Sequence, residues 1–159
     1  MNTRSGIGFD VHPLVTGRRL VLGGVHIPFE KGLKGHSDGD ALTHAIIDAL
    51  LGGAGMGDIG THFPSSDKSL KDIDSQKLLV NTMRLLDMHG WRATYVDATI
   101  IAERPVLRPH CDSIKAALAV SLGIDPRNVN IKAKTTDGLG FTGRGEGIAA
   151  MAIATLQLP

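Results

Sequence analysis

The fold class this sequence predicts is α/β: a two-layer sandwich with a mixed four-stranded main sheet and helices on one face. Two observations predict it. Segments of strand and helix character follow one another as strands, two helices, strand, helix, strand, strand. The three helical segments also end at glycine, whereas the strand segments are short and rich in β-branched residues. No linker, repeat or low-complexity stretch interrupts the 159 residues, so one domain over 1–159 is expected, long enough for a sizeable core.

Taken in order, Ile7 to His12 reads as a strand that Pro13 ends. Alternation puts Asp10 and His12 on one face and Phe9 and Val11 on the other. Arg19–Leu22 and Val25–Pro28 read as a hairpin about Gly23-Gly24, and Glu30 to Gly39 as loop. Asp40 to Ala54 is the first helix, with an apolar stripe of Leu42, Ala45, Ile46, Ala49 and Leu50. Asp40, His44 and Asp48, spaced by four, line a polar edge of it. Thr61 to Asp72 is a long polar loop. Asp74 or Ser75 caps a second helix running to about His89, and Trp91 to Ala102 is a strand. Pro109 opens a third helix that Gly123 stops. Asn128–Lys134 is a strand, Thr135–Glu146 a glycine-rich loop, and Gly147–Leu156 a closing strand. Three long helices cover only one face of such a sheet, so self-association is expected to cover the other.

Composition excludes several classes. A net charge of +1 does not suit a nucleic-acid or membrane-surface binder. The lone Cys111 permits neither an internal disulfide nor a multi-cysteine zinc site. No apolar run approaches a membrane span, and no apolar signal segment follows Met1. A cytoplasmic protein is expected. Glycine, at 20 residues, implies many sharp turns or close approaches.

The polar stretch Lys34 to His44 carries two imidazoles, two carboxylates and two hydroxyls at a helix start, more than a cap requires. Asp10-x-His12 together with His44 is the full protein contribution to a catalytic zinc with an open fourth position. Asp40 or Asp48 could then orient a ligand imidazole from behind. Two ordinary histidines bonded to carboxylates would give the same pattern, and the residues alone leave both readings open. Gly138, Gly140 and Gly143 spell G-x-G-x-x-G, but no crossover helix can follow, which excludes a dinucleotide fold. A glycine-rich loop can still hold phosphate through its N–H groups, and Lys132, Lys134, Thr135 and Thr136 precede it. Phe63-Pro64-Ser65-Ser66-Asp67-Lys68 could cover an anionic ligand. Ala102-Glu103-Arg104-Pro105-Val106-Leu107-Arg108 marks a strand-to-helix corner of the ligand-binding type. Neither a G-x-S-x-G elbow nor H-E-x-x-H is present. Metal and phosphate loops without a protein nucleophile point to phosphoryl chemistry by positioning and charge neutralisation.

Five segments together resemble the 2-C-methyl-D-erythritol 2,4-cyclodiphosphate synthase family of the non-mevalonate isoprenoid pathway. They are Gly8–His12, His36–Asp40, Gly57–Gly60 with Phe63-Pro64, Ala102–His110 and Gly140–Gly147. The resemblance runs over essentially the whole chain. It implies a homotrimer with active sites at subunit interfaces. It implies conversion of 4-diphosphocytidyl-2-C-methyl-D-erythritol 2-phosphate to the cyclic diphosphate and CMP. Asp10, His12 and His44 are then the zinc ligands, with Asp10 and His12 also touching substrate. His36 and Thr135 hold phosphates in the transition state beside Ser37. Asp58, Ile59 and Gly60, with Phe63, Pro64, Ser65, Ser66 and Asp67, form the methylerythritol-phosphate loop. Ala102 to Arg108 form the cytidine pocket, completed by Lys134, Thr135, Thr136 and Asp137 of a neighbouring subunit. Phe141 and Arg144 belong to the same ligand-binding end. A second cation, Mg2+ or Mn2+, falls to Asp137, where the family often has Glu. An isoprenoid diphosphate on the threefold axis, near Arg144 and Glu146, completes the expected partners.

Overall fold

The computed structural model describes residues 1–159. Four long strands make the main sheet: β1 (Asn2–Thr16), β7 (Gly147–Leu158), β5 (Arg92–Ile101) and β6 (Val129–Lys134), neighbours in that order. β7 runs antiparallel to both β1 and β5, and β5 runs parallel to β6, so the sheet is mixed. A three-residue strand, β4 (Lys31–Leu33), extends it to five at the β1 edge. This segment reads as loop because three residues with a central glycine carry no period.

Pro13 does not end β1. The strand pairs with β7 as far as Pro13 opposite Gly147, then changes partner and pairs Leu14–Thr16 with β4. Proline has no N–H to donate, and it sits where one ladder gives way to the next. Its carbonyl still accepts from Lys34 N–H at 3.0 Å. β2 (Leu20–Leu22) and β3 (Val25–Ile27) form the expected hairpin, with Gly23 and Gly24 both at positive φ.

Helices α1 (Ala41–Ala54) and α3 (Ser75–Met88) begin at their predicted caps, whereas α4 (Cys111–Leu122) starts uncapped, after a 3₁₀ turn over Arg108–His110 that takes in the Pro109 expected to open it. Asp40 and Asp74 accept from first-turn N–H groups, and Gly55 and Gly123 close α1 and α4 in the left-handed region. α1 is buried on nearly all sides instead of along one stripe; only Asp48 and Gly52 escape. It lies between the sheet on one side and α3 and the hairpin on the other, and a helix apolar all round is a buried helix. Each fully buried Leu or Ile here stabilises by about 1.5–3 kcal/mol. Asp40 is fully buried and ties this helix down. It accepts from Gly23 and Gly24 N–H at 2.9 and 2.8 Å, and from the N–H and hydroxyl of Thr43. Gln76 donates to Thr43 Oγ1, and Ser121 donates to Gln76, which links α1, α3 and α4.

α1 also lies unusually close to β1. A Cβ on Gly8 would stand 2.7 Å from Ala49 N and closer still to the Ala45 carbonyl; one on Gly6 would meet Ala49 and Gly53 backbone. These two glycines let the helix approach the strand, and so bring the start of α1 beside the far end of β1.

The region 61–72 contains more order than its composition suggests. α2 (Ile59–His62) is capped by Asp58, and a 3₁₀ turn over Lys68–Leu70 is capped by Asp67. A last short helix, α5 (Gly140–Gly143), lies in the glycine-rich loop. On the sheet face away from the helices, Ile7, Phe9, Val11, Tyr95, Met151 and Ile153 are all 40% or more exposed, an apolar surface of the kind that marks an interaction face. No helix is long and apolar enough to cross a membrane.

Candidate active site

The strand alternation of β1 sends Asp10 and His12 to the helix side, and the first turn of α1 brings His44 to them. His12 Nε2 lies 2.8 Å from Asp10 Oδ2, His44 Nδ1 lies 3.0 Å from the same oxygen, and the two ring nitrogens are 3.2 Å apart. His12 Nδ1 donates to the Lys34 carbonyl at 2.8 Å. A carbonyl only accepts, so in the neutral ring Nε2 is left bare. A carboxylate oxygen and two imidazole nitrogens thus converge, and once their protons are displaced such a group can take a divalent cation. These three residues form a group able to hold a metal ion. Zn2+ suits this oxygen-and-nitrogen donor set, as do other divalent cations.

Burial would raise the Asp10 carboxyl, but hydrogen bonds and charge from His12 and His44 outweigh it and hold the group at about 2. Burial would likewise lower His12, yet the hydrogen bond and charge of Asp10 raise it above the ordinary imidazole value. His12 therefore keeps its proton to higher pH than a free imidazole, and a metal must displace that proton. Binding of a divalent metal is expected to weaken about tenfold per pH unit as pH falls below this raised value, and to level off above it. Metal titrations from about pH 5.5 to 8.5 check this, since a free imidazole titrates near 6.5; an affinity flat across that range would contradict it.

Neither Asp40 nor Asp48 orients a ligand imidazole. Asp40 spends its oxygens on four donors of the hairpin and helix start. Asp48 points one turn onward and accepts from Ile59 N–H at 2.8 Å, which anchors α2. Helical spacing puts both on the edge of His44 but cannot show which nearer donors claim them. The partners of His44 Nε2 are two hydroxyls, Ser75 Oγ at 2.8 Å and Ser37 Oγ at 3.1 Å. Ser75 reads from sequence only as a cap candidate; nothing in a separation of 31 residues marks the contact.

The metal group opens into a cleft of about 290 Å³ that His36, Ser37, Ile59, Gly60, Phe63 and Ser65 also line. Leu70, Ile73 and Leu78 complete its walls, and sequence reading misses these three because each looks like an ordinary core residue. His36 Nε2 bonds the Asp67 carbonyl at 2.9 Å, so this imidazole clasps the 63–70 loop across the cleft. Asp58 caps α2 through Thr61, and Pro64 and Ser66 lie exposed on the loop.

The remaining predicted residues gather elsewhere. Ala102, Glu103, Pro105, Val106, Leu107, Arg108, Lys134 and Thr135 line a second cleft of about 120 Å³ at the ends of β5 and β6. Arg104 stacks over Phe29 at 5.9 Å and, with Arg144, lines a third of about 220 Å³. Thr136 N–H donates to Glu103 at 3.3 Å and its hydroxyl bonds the Leu139 carbonyl. Asp137 sits at φ +54°, exposed, with its carboxylate 3.4 Å from Thr135 Oγ1. Phe141 is exposed, and Arg144 pairs with Glu146 at 3.0 Å. The first and second clefts share one end of the sheet, because β1, β5 and β6 all point that way. Strand spacing nevertheless separates β1 from β6 by about 14 Å. One chain does not bring His36 and Thr135 together.

An open metal group beside imidazole and hydroxyl donors, at the end of an α/β sheet, defines a metal-binding enzyme site. The chain belongs to the YgbB family, whose model matches residues 3–157. The 2-C-methyl-D-erythritol 2,4-cyclodiphosphate synthase of Desulfatibacillum aliphaticivorans is 54% identical over 154 residues, 97% of this chain and 99% of that protein. Among solved structures, the bifunctional IspDF from Campylobacter jejuni matches with a TM-score of 0.96 at 38% identity. The match covers 99% of this chain but 43% of that longer one. A 2C-methyl-D-erythritol-2,4-cyclodiphosphate synthase solved in a CDP-bound form matches at 0.89 and 34% identity, over 97% of this chain and all of that one.

Proposed function

We propose that this chain, as one synthase domain over 1–159, converts 4-diphosphocytidyl-2-C-methyl-D-erythritol 2-phosphate to 2-C-methyl-D-erythritol 2,4-cyclodiphosphate and CMP in isoprenoid precursor biosynthesis. The observation that carries this is the convergence of Asp10, His12 and His44 in a cleft shared with His36 and Ser37. Family membership over nearly the whole chain supports the same reading.

The reaction needs no protein nucleophile. An oxygen of the substrate's own 2-phosphate attacks the β-phosphorus, the bond from that phosphorus to CMP breaks, and CMP leaves with the electron pair. A phosphate monoester has a second pKa of about 6, so the attacking group is already an anion at neutral pH. What the chain must do is hold two like-charged phosphates together. Asp10, His12 and His44 would hold a divalent cation, which would supply positive charge to the phosphate under attack. His36 gives up the Asp67 carbonyl to meet a phosphate oxygen, and Ser37 donates its hydroxyl beside it. Ile59, Gly60 and the 63–67 loop enclose the methylerythritol part, with Asp58 accepting from its hydroxyls. Effective molarities on the order of 10⁵ M are available to groups held in this way.

The cytidine corner at Ala102–Arg108 and the phosphate contact of Thr135 come from a neighbouring subunit in this reading. Two observations support that: the separation of the two clefts, and the exposed apolar sheet face, which a homotrimer would cover. Asp137 offers a single exposed carboxylate. A second cation there, Mg2+ or Mn2+, would draw its other ligands from the diphosphate and water. An isoprenoid diphosphate near Arg144 and Glu146 on the threefold axis belongs to the same reading, as does a cytoplasmic location.

Incubation with the diphosphocytidyl substrate and phosphorus NMR of the products tests the reaction. CMP and a cyclic diphosphate in equal amounts are expected. Inorganic phosphate or a linear diol phosphate would instead mean hydrolysis.

A further inference from the structure

His44 turns Nδ1 to the metal group and Nε2 the other way, into a buried polar pair that the reaction above does not use. Nε2 lies 2.8 Å from the hydroxyl of Ser75, a fully buried residue at the first position of α3. The Ser75 hydroxyl donates to Asp38 Oδ1 at 2.5 Å, and its backbone N–H donates to Asp38 Oδ2 at 2.9 Å. An ionised carboxylate only accepts, and a serine hydroxyl has one proton to give. Toward His44, Ser75 therefore presents lone pairs alone. It thus holds a proton on Nε2, while Asp10 Oδ2, 3.0 Å from Nδ1, draws one there until a cation takes its place.

We propose that Ser75, oriented by Asp38, is the positioning residue that keeps the His44 proton on Nε2 when a divalent cation replaces the one on Nδ1, so that Nδ1 meets the cation with its lone pair. Ser37 cannot set this direction. Its hydroxyl lies 3.1 Å from the same nitrogen, and no acceptor-only group turns its proton away. His12 reaches the same end by another route, since the Lys34 carbonyl claims its Nδ1–H and bares Nε2. The two ligands thus use opposite ring nitrogens, each selected by the hydrogen bond on its far side. One selector is a backbone carbonyl that no substitution removes; the other is a side chain.

The proposal rests on the reading of Asp10, His12 and His44 as metal ligands, and its test separates the two. Two-bond proton–nitrogen spectra of the full-length, zinc-loaded chain, at a pH of about 8.5 where a free imidazole is neutral, report which ring nitrogen carries the proton and how well that proton is held. Wild type is expected to show His44 protonated on Nε2, with that proton protected from exchange with water. Ser75→Ala is expected to expose the proton to exchange, and zinc binding in competition with a chromophoric chelator should weaken about 10–100-fold. Asp38→Asn goes further: its amide can donate to Ser75 Oγ and turn that hydroxyl's proton against the Nε2–H, which should weaken zinc at least as much. A general loss of stability would lower the melting temperature without exposing the Nε2 proton. Should Asp38→Asn not fold, the wild-type spectrum and Ser75→Ala decide alone. A wild-type His44 protonated on Nδ1 overturns the proposal. So does Ser75→Ala with an equally protected Nε2 proton and zinc affinity within about twofold of wild type, outside the range such partners carry. A wild-type chain that binds no zinc would sink the metal reading, and this proposal with it.

Discussion

His44→Ala is expected to leave a folded chain that turns over at least about three orders of magnitude more slowly and retains no stoichiometric metal. The polarisation of a phosphoryl oxygen by a bound cation is worth several kcal/mol, and about 1.4 kcal/mol is a factor of ten in rate. Loss of one of three protein ligands leaves Asp10 and His12, which cannot hold the ion at working concentrations. The fold should survive, because His44 itself lines the open cleft and water can enter the space its ring leaves. Ser75 and Asp10 lose a partner, at a cost of about 1–3 kcal/mol. Metal per chain by elemental analysis, kcat and a thermal melt read the three quantities together. Full turnover in this variant would exclude a catalytic metal at this group.

Gly8→Ala is expected to be among the most damaging single-methyl additions in the chain, costing about 3–5 kcal/mol and most of the metal affinity. The new Cβ would point at backbone atoms of Ala45 and Ala49, which cannot rotate away as a side-chain tip can. α1 would have to lift from β1. That movement carries His44 away from Asp10 and His12, which the strand holds in place. Stability and metal binding should therefore fall together. Gly138→Ala provides the contrast: its added Cβ meets nothing within 4 Å, and the cost comes only from its positive φ, about 1 kcal/mol. Urea unfolding midpoints with and without zinc measure both effects. A Gly8→Ala chain with wild-type stability would mean that the helix–strand approach can relax freely.

Much of this site is legible in the sequence because its determinants are local. Alternation along β1 is enough to put Asp10 and His12 on one face, and the cap at Asp40 is enough to place His44 in the first turn of a helix. The glycine stops of α1 and α4 and the Gly23-Gly24 hairpin are equally local. The parts that are not legible depend on contacts between distant segments. Pro13 marks a change of partner and not an end, which depends on where β4 docks. Asp48 belongs to α2 and not to His44, because Ile59 offers a nearer donor. The Ser75–Asp38 pair crosses 37 residues, and in one dimension each residue looks like a cap. Glycine content alone points to close approaches but not to where they fall; at Gly6 and Gly8 the approach admits a helix. The resemblance to the synthase family supplies roles for Thr135 and for Ala102–Arg108 that no single chain's geometry joins to the metal cleft.

In the proposed trimer, one site is built from the metal cleft of one chain and the nucleotide corner of another. Mixed trimers test it most directly. His44→Ala removes the first half and Thr135→Ala the second, each lowering turnover about 100-fold or more by itself. Co-expressed in equal amounts with different tags and isolated as mixed trimers, the two variants should pair an intact metal cleft with an intact neighbouring corner at about a third of the sites, because a closed ring of two and one has a single such interface. Recovery of about a third of wild-type kcat is the predicted result. Mixed oligomers no more active than the two parents would contradict the account.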